Sequence, residues 1–194
     1  MTFVDVQSYL LFCDAPDFSR IRPQVCQACG YNGTLHGHGV YKRTVWGPDG
    51  GAVIPIFRFR CPACGYTTGV LPSFIGRYER CSWDTQEEAL ATAEKASLEQ
   101  AAEMFPPPCG PLSPRTLWRW RKRCRLWMDE LDERFWRFVI TTAPWLEMQR
   151  GANRLASKMA RWRQIWQSVS TTSVGVGFLH GLYRLRHAVV LLAT

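Results

Sequence analysis

The sequence predicts an α+β chain: a small β-hairpin ribbon built on four cysteines, followed by an α-helical region. Three observations predict it. Two Cys-x-x-Cys-Gly stretches recur, "CQACG" from Cys26 and "CPACG" from Cys61. Two β-branched and aromatic runs lie between them, around a "PDGG" turn. Near residue 82 the apolar spacing changes to that of helices.

The cysteine pairs come first. A two-residue gap lets both sulfurs of a pair point at one ion. Glycine after the second Cys permits the left-handed backbone that turns amide N–H groups toward the thiolates. A redox-active dithiol is expected inside a βαβ unit, and neither pair has one around it. Cys26, Cys29, Cys61 and Cys64 therefore read as a closed tetrahedral shell for one structural Zn2+, the centre of a zinc ribbon. His36 and His38 bind metals by type, but four cysteines already complete a shell; they read as an exposed polar pair, with a contact to the metal left open. Cys124 reads as a small core residue on a helix, and Cys13, Cys81 and Cys109 as incidental, with a second metal site as the weaker alternative.

Between the pairs, "HGHGVYKRTVW" and "AVIPIFRFR" read as strands joined by "PDGG" into a hairpin. Past Ser82, "SWDTQEEALATAEKA" opens on N-cap candidates (Ser82, Asp84) and an acidic first turn. "SLEQAAEMF" places Gln100 three residues after Ser97, the spacing of a capping box. "PPPCGPL" must be a loop, because successive prolines cannot enter a helix interior. Ser113 is an N-cap and Pro114 sits at the first helical position, where its missing N–H costs nothing. No Gly or Pro follows until Pro144, so one helix is expected from residue 114 to about 140. Leu117, Trp120, Cys124, Trp127, Met128, Leu131, Phe135 and Phe138 share its apolar face.

Charge is distributed unevenly. Residues 1–112 hold 9 Lys/Arg against 11 Asp/Glu, whereas residues 113–194 hold 15 against 5. The excess points to a polyanionic partner for the C-terminal part. Six of these cations lie between residues 113 and 125, with no acid among them. Three helices in order, the third capped and basic at its start, describe a helix-turn-helix. Its last helix would enter the major groove of double-stranded DNA, with Arg115, Thr116, Trp118, Arg119, Lys122 and Arg123 as the contacting residues. "ANRLASKMARWRQIWQSV" is a further amphipathic helix. The apolar final segment reads either as a last packed helix or as a self-association surface, which would make a homodimer.

The run from "CQACG" through "HGHGVYKRTVW" and "FRCPACGYTTGVLPSF" to "SLEQAAEMF" and "SPRTLWRWRKR" resembles the zinc-ribbon plus helix-turn-helix proteins of bacterial mobile elements. These are similar to the N-terminal DNA-binding part of insertion-sequence transposases. The resemblance covers about residues 26–125 and implies metal ligation by the four cysteines and DNA recognition by the helix from Ser113. A full transposase adds a large domain with three metal-binding carboxylates on separate strands. The acids after residue 113 are Asp129, Glu130, Asp132, Glu133 and Glu147, four of them packed into five positions. Catalysis is therefore not expected.

The expected organisation is an N-terminal segment (1–25) packing on a zinc ribbon (26–80), a helix-turn-helix (81–127) and a C-terminal helical region (128–194). No basic-apolar leader and no membrane-length apolar run appear, so a cytoplasmic, nucleoid-associated location is expected. The expected function is non-enzymatic, sequence-specific DNA binding, transposon-associated or regulatory. Two alternatives stand beside it: an adaptor for a transposase or polymerase subunit, and an RNA-binding protein that stacks bases on Trp118 and Tyr41.

Overall fold

The computed structural model describes residues 3, 5–104, 112–146, 157–173 and 175–187. The chain forms a mixed α+β structure in two compact units, Met1–Ser82 and Trp83–Thr194.

The first unit is a three-stranded antiparallel sheet in the order β1 (His36–Gly47), β2 (Gly50–Arg60), β3 (Thr67–Gly69). Gly47 pairs with Gly50, so Pro48 and Asp49 make the two-residue turn that "PDGG" implies. A bulge between Gly37 and Val40 places Gly39 at φ 86°, so the "HGHG" run carries a local kink in an otherwise regular strand. β3 lacks a sequence signal, because three residues show no alternation.

The N-terminal segment contains α1 (Val6–Asp14), which sequence reading leaves unassigned. It opens on a reciprocal capping box: Ser8 N–H donates to the Asp5 carboxylate and Asp5 N–H to the Ser8 hydroxyl. Tyr9 donates from its hydroxyl to the Pro55 carbonyl at 2.6 Å, tying α1 to β2. Phe57 meets the rings of Phe12 and, from the 3-10 turn Phe18–Arg20, Phe18. Phe3, Tyr9, Ile21, Leu35, Val45, Ile54, Ile56, Phe59, Phe74 and Ile75 complete this core. The last residues of the unit return to the sheet: Trp46 N–H donates to the Arg80 carbonyl and Ser82 N–H to the Trp46 carbonyl. Cys81 is thereby buried beside β1 in a parallel bridge to Trp46, a structural place rather than an incidental one.

The second unit is helical: α2 (Trp83–Ala93), α3 (Leu98–Met104), α4 (Pro114–Glu130), α5 (Asp132–Thr142), α6 (Lys158–Ser173) and α7 (Phe178–His187). α2, α3 and α4 pack on one another, and α7 packs on α2, α4, α5 and α6. The capping box before α3 is present in full, with Ser97 N–H donating to Gln100 Oε1 and Gln100 N–H to Ser97 Oγ. Of the "PPPCGPL" loop, Pro106–Pro111 with Cys109 lie outside the described residues, as do Arg154, Leu155 and Glu147.

The expected single helix over 114–140 is two helices. Leu131 departs from helical geometry (φ −102°, ψ 7°), yet its N–H still reaches Trp127 O, and its carbonyl still accepts from Phe135 N–H. Only one residue breaks the run, so neither Gly nor Pro announces it. Asp132 and Glu133 then form the acidic first turn of α5, where the helix N-terminus favours negative charge. The buried stripe runs on through Leu131, Phe135 and Val139, and Phe138 is half-buried against Trp166. Phe135 lies flat on Trp162, 3.9 Å between centroids and 5° from parallel.

α7 is held in place by polar contacts as well as apolar ones. The Glu87 carboxylate accepts from the Leu179 N–H at 3.0 Å, and Trp166 Nε1–H donates to the Val176 carbonyl. A Cβ at Gly181 would lie 2.0 Å from the Trp166 ring, so this close α6–α7 approach needs glycine. Residues 178–187 of the final segment form a packed helix.

Candidate metal centre and basic helix face

The two cysteine loops are local copies of one another. In the first, Cys26 N–H donates to the Tyr31 carbonyl and Gly30 N–H to the Cys26 carbonyl, both at 2.9 Å. In the second, Cys61 N–H donates to the Tyr66 carbonyl at 2.8 Å and Gly65 N–H to the Cys61 carbonyl at 3.0 Å. Gly30 has φ 73° and Gly65 φ 75°, the left-handed backbone that the glycine at this position permits.

The hairpin brings the loops together. Cys26 Sγ lies 3.7 Å from Cys64 Sγ, Cys29 Sγ lies 3.8 Å from Cys61 Sγ, and all four sulfurs fall within 4.8 Å of one another. These are not disulfide distances; a bond needs about 2.05 Å. A tetrahedron with metal–sulfur bonds of about 2.3 Å has edges of about 3.8 Å. Two of the sulfur pairs stand at that edge length, and the other pairs lie within 4.8 Å. Cys26 and Cys61 are buried, and Cys29 and Cys64 are exposed.

Cys26 and Cys29 do not ionise alike. The backbone N–H of Cys29, helped by that of Ala28, lowers the Cys26 thiol to about 7. Cys29 moves the other way, to about 12: the Tyr31 N–H favours its thiolate, but the Cys64 thiol and desolvation outweigh it. Crowded sulfurs cannot all ionise by themselves, and a bound metal ion removes that conflict by taking thiolates directly. Among the described residues this is the one group of three or more His, Cys, Asp or Glu side chains placed to hold a metal. His36 and His38 are exposed on β1 and stand outside it.

On α4 the N-cap is formed: Ser113 Oγ accepts from Thr116 N–H, with Pro114 at the first helical position. The Thr116 hydroxyl is engaged with Ser113 Oγ at 3.0 Å. Leu117, Trp120, Cys124, Trp127 and Met128 are buried. Arg115, Trp118, Arg119 and Lys122 are exposed on the other side, with the Lys122 ammonium 5.2 Å over the Trp118 ring. None of these three cations has an ion pair among the described residues.

Arg123 does not belong with them. Its guanidinium lies 5.2 Å from the Trp83 ring centroid and 5.4 Å from that of Trp127, and it donates to Gln86 Oε1. Gln86 is fully buried, so Arg123 faces the interior of the helical unit. Helical angle alone places it at the margin of the basic face; the indole rings decide which way it turns.

Residues 26–120 match a family described as a domain of unknown function (DUF6431). The match begins at the first cysteine of the cluster and ends at Trp120 in α4, so it covers all four cysteines, Arg115 and Arg119. No curated protein matches the chain, and no solved structure does.

Proposed function

We propose that the protein is a zinc-stabilised, sequence-specific double-stranded DNA-binding protein, transposon-associated or regulatory as its resemblance to mobile-element proteins implies. One observation carries the reading: α4 buries one face and presents Arg115, Arg119 and Lys122 from a capped N-terminus on the other, with no carboxylate among them. In this reading α2, α3 and α4 are the helix-turn-helix and α4 is its recognition helix. The ion at the four cysteines is Zn2+, because four thiolates within 4.8 Å of one another suit zinc and leave no open position for catalysis.

The role is not enzymatic. Lys158 Nζ bridges Asp129 and Asp132 at 3.1 and 3.0 Å, Arg137 pairs with Glu133, and Arg186 with Glu130. Each carboxylate of the cluster thus already has a cation, instead of converging on a shared metal position.

The test is capture of genomic duplex fragments by the purified chain, sequenced, beside the Arg115→Ala/Arg119→Ala/Lys122→Ala variant. Enrichment of a shared sequence by the parent and its loss by a folded variant are expected. If the folded variant binds duplex as well as the parent at low and high salt, the DNA reading fails. An adaptor role would then be favoured by Trp118 and Leu126, large apolar side chains left exposed on α4.

A further inference from the structure

The first unit carries a groove that neither the cysteine cluster nor α4 accounts for. Its volume is about 970 Å³, and its walls come from β1, from Tyr66 to Gly69, and from the loop that returns to β1. Three tyrosines line it, Tyr41, Tyr66 and Tyr78, which are 42%, 41% and 83% exposed. Lys42, Arg77 and Arg80 line it too, all exposed. No carboxylate is among the described residues of its wall. Residues 1–112 hold more acids than bases, so this patch is not a sample of a generally basic surface.

The tyrosines are held where they are. Gly69 underlies Tyr41: a Cβ there would lie 3.4 Å from the ring. The backbone of Tyr66 is fixed at the second cysteine loop, its carbonyl accepting the Cys61 N–H. Tyr78 has φ 65°, a left-handed conformation that bulky residues rarely adopt. Arg43 secures that loop by donating to the carbonyls of Gly76 and Glu79. The Arg77 guanidinium stands 5.0 Å over the Tyr78 ring. The fold thus spends a strained backbone position on holding an aromatic ring in solvent beside cations.

We propose that this groove binds a single-stranded stretch of nucleic acid. Tyr41, Tyr66 and Tyr78 stack on unpaired bases, while Lys42, Arg77 and Arg80 hold the phosphates between them. A duplex hides its base faces in its own stack, so the rings have nothing to meet there. The charge of the wall favours an anionic occupant, and the rings favour a nucleic acid over an acidic peptide. Unpaired DNA and RNA share this chemistry.

The experiment uses the full chain, with labelled oligothymidylate and oligouridylate of about 12 nucleotides, a length within the span of such sites. Affinities are measured for the parent, for Tyr66→Ala/Tyr78→Ala and for Tyr66→Phe/Tyr78→Phe, with a duplex of mixed sequence as the second ligand. The alanine variant is expected to lose about tenfold or more on single strands and to keep its duplex affinity, and the phenylalanine variant to bind single strands like the parent. Oligomers carrying 4-thiothymidine or 4-thiouridine should photocrosslink to peptides holding Tyr41, Tyr66 or Tyr78; the better-bound oligomer identifies DNA or RNA as the source. Circular dichroism checks that the variants are folded. Should the alanine variant disrupt the fold, the crosslinked position in the parent decides. Unchanged single-strand affinity in a folded alanine variant, crosslinks confined to α4, or displacement of the oligomer by polyglutamate as readily as by unlabelled oligomer would overturn the proposal.

Discussion

Cys26 Sγ stands 3.7 Å from Cys64 Sγ, although 38 residues separate them. Both close sulfur contacts join one loop to the other, so an ion held by the four cysteines would clamp the ends of the hairpin rather than close either loop on itself. One zinc per chain is expected by elemental analysis of protein purified without chelator. Cys61→Ser should lower zinc content sharply and loosen the first unit, since metal binding and folding are coupled in such small domains. Protein free of zinc with an unchanged melting profile would refute the assignment.

Arg115 and Lys122 should differ in what they do. Arg115 projects from the first turn of α4, the part that reaches base edges in a recognition helix, and Lys122 lies two turns on. Arg115→Ala should cost about 1–3 kcal/mol on the preferred duplex and relax its sequence preference. Lys122→Ala should weaken all duplexes alike and lower the salt slope by about one. Titrations of matched and scrambled duplexes over a salt series separate the two.

Arg123 should matter for folding instead. Replacing it with alanine removes two cation–aromatic contacts and a charged donor to buried Gln86. A loss of about 1–3 kcal/mol is expected in urea unfolding, against little change for exposed Arg119→Ala. Eight of the nine tryptophans lie in the helical unit, so tryptophan fluorescence reports it. Equal stability of the two variants would contradict the inward placement.

His180 should make the helical unit acid-sensitive. Burial, with Arg184 adding to it, pushes its pKa down to about 4 from the ordinary 6.5. The unfolded chain therefore takes up the proton first. Stability is full above about pH 6.5 and falls as pH drops toward 4, by up to about 3 kcal/mol. Glu87 opposes this in part, since burial raises its pKa. In His180→Gln the fall between pH 7 and pH 4.5 should be visibly smaller, whatever the variant's stability at pH 7.

No divalent-metal-dependent DNA cleavage is expected. Asp132 shares Lys158 with Asp129, and a carboxylate so paired is a poor member of a two-metal site. Cleavage that persists through repurification and vanishes in Asp132→Asn would show otherwise.

Local chemistry makes part of this protein legible from its residues alone. Cys-x-x-Cys-Gly needs only its own backbone to form a loop, and Ser97–Gln100 and Ser113–Pro114 need only their own helix ends. The hairpin turn at Pro48–Asp49, both capping motifs and the four-cysteine set therefore follow from the sequence by itself. What depends on distant partners does not. The break at Leu131 comes just before Phe135, which stacks on Trp162, and Asp132, which pairs with Lys158, and no residue beside it disfavours a helix. Arg123 turns inward because Trp83, 40 positions away, offers it a ring. The tyrosine groove assembles from β1, the second cysteine loop and the Arg77–Arg80 turn, which sequence separates and only the sheet brings together. Short-range hydrogen bonds and turn geometry are written in neighbouring residues; packing is decided by whichever surfaces the folded chain presents to one another.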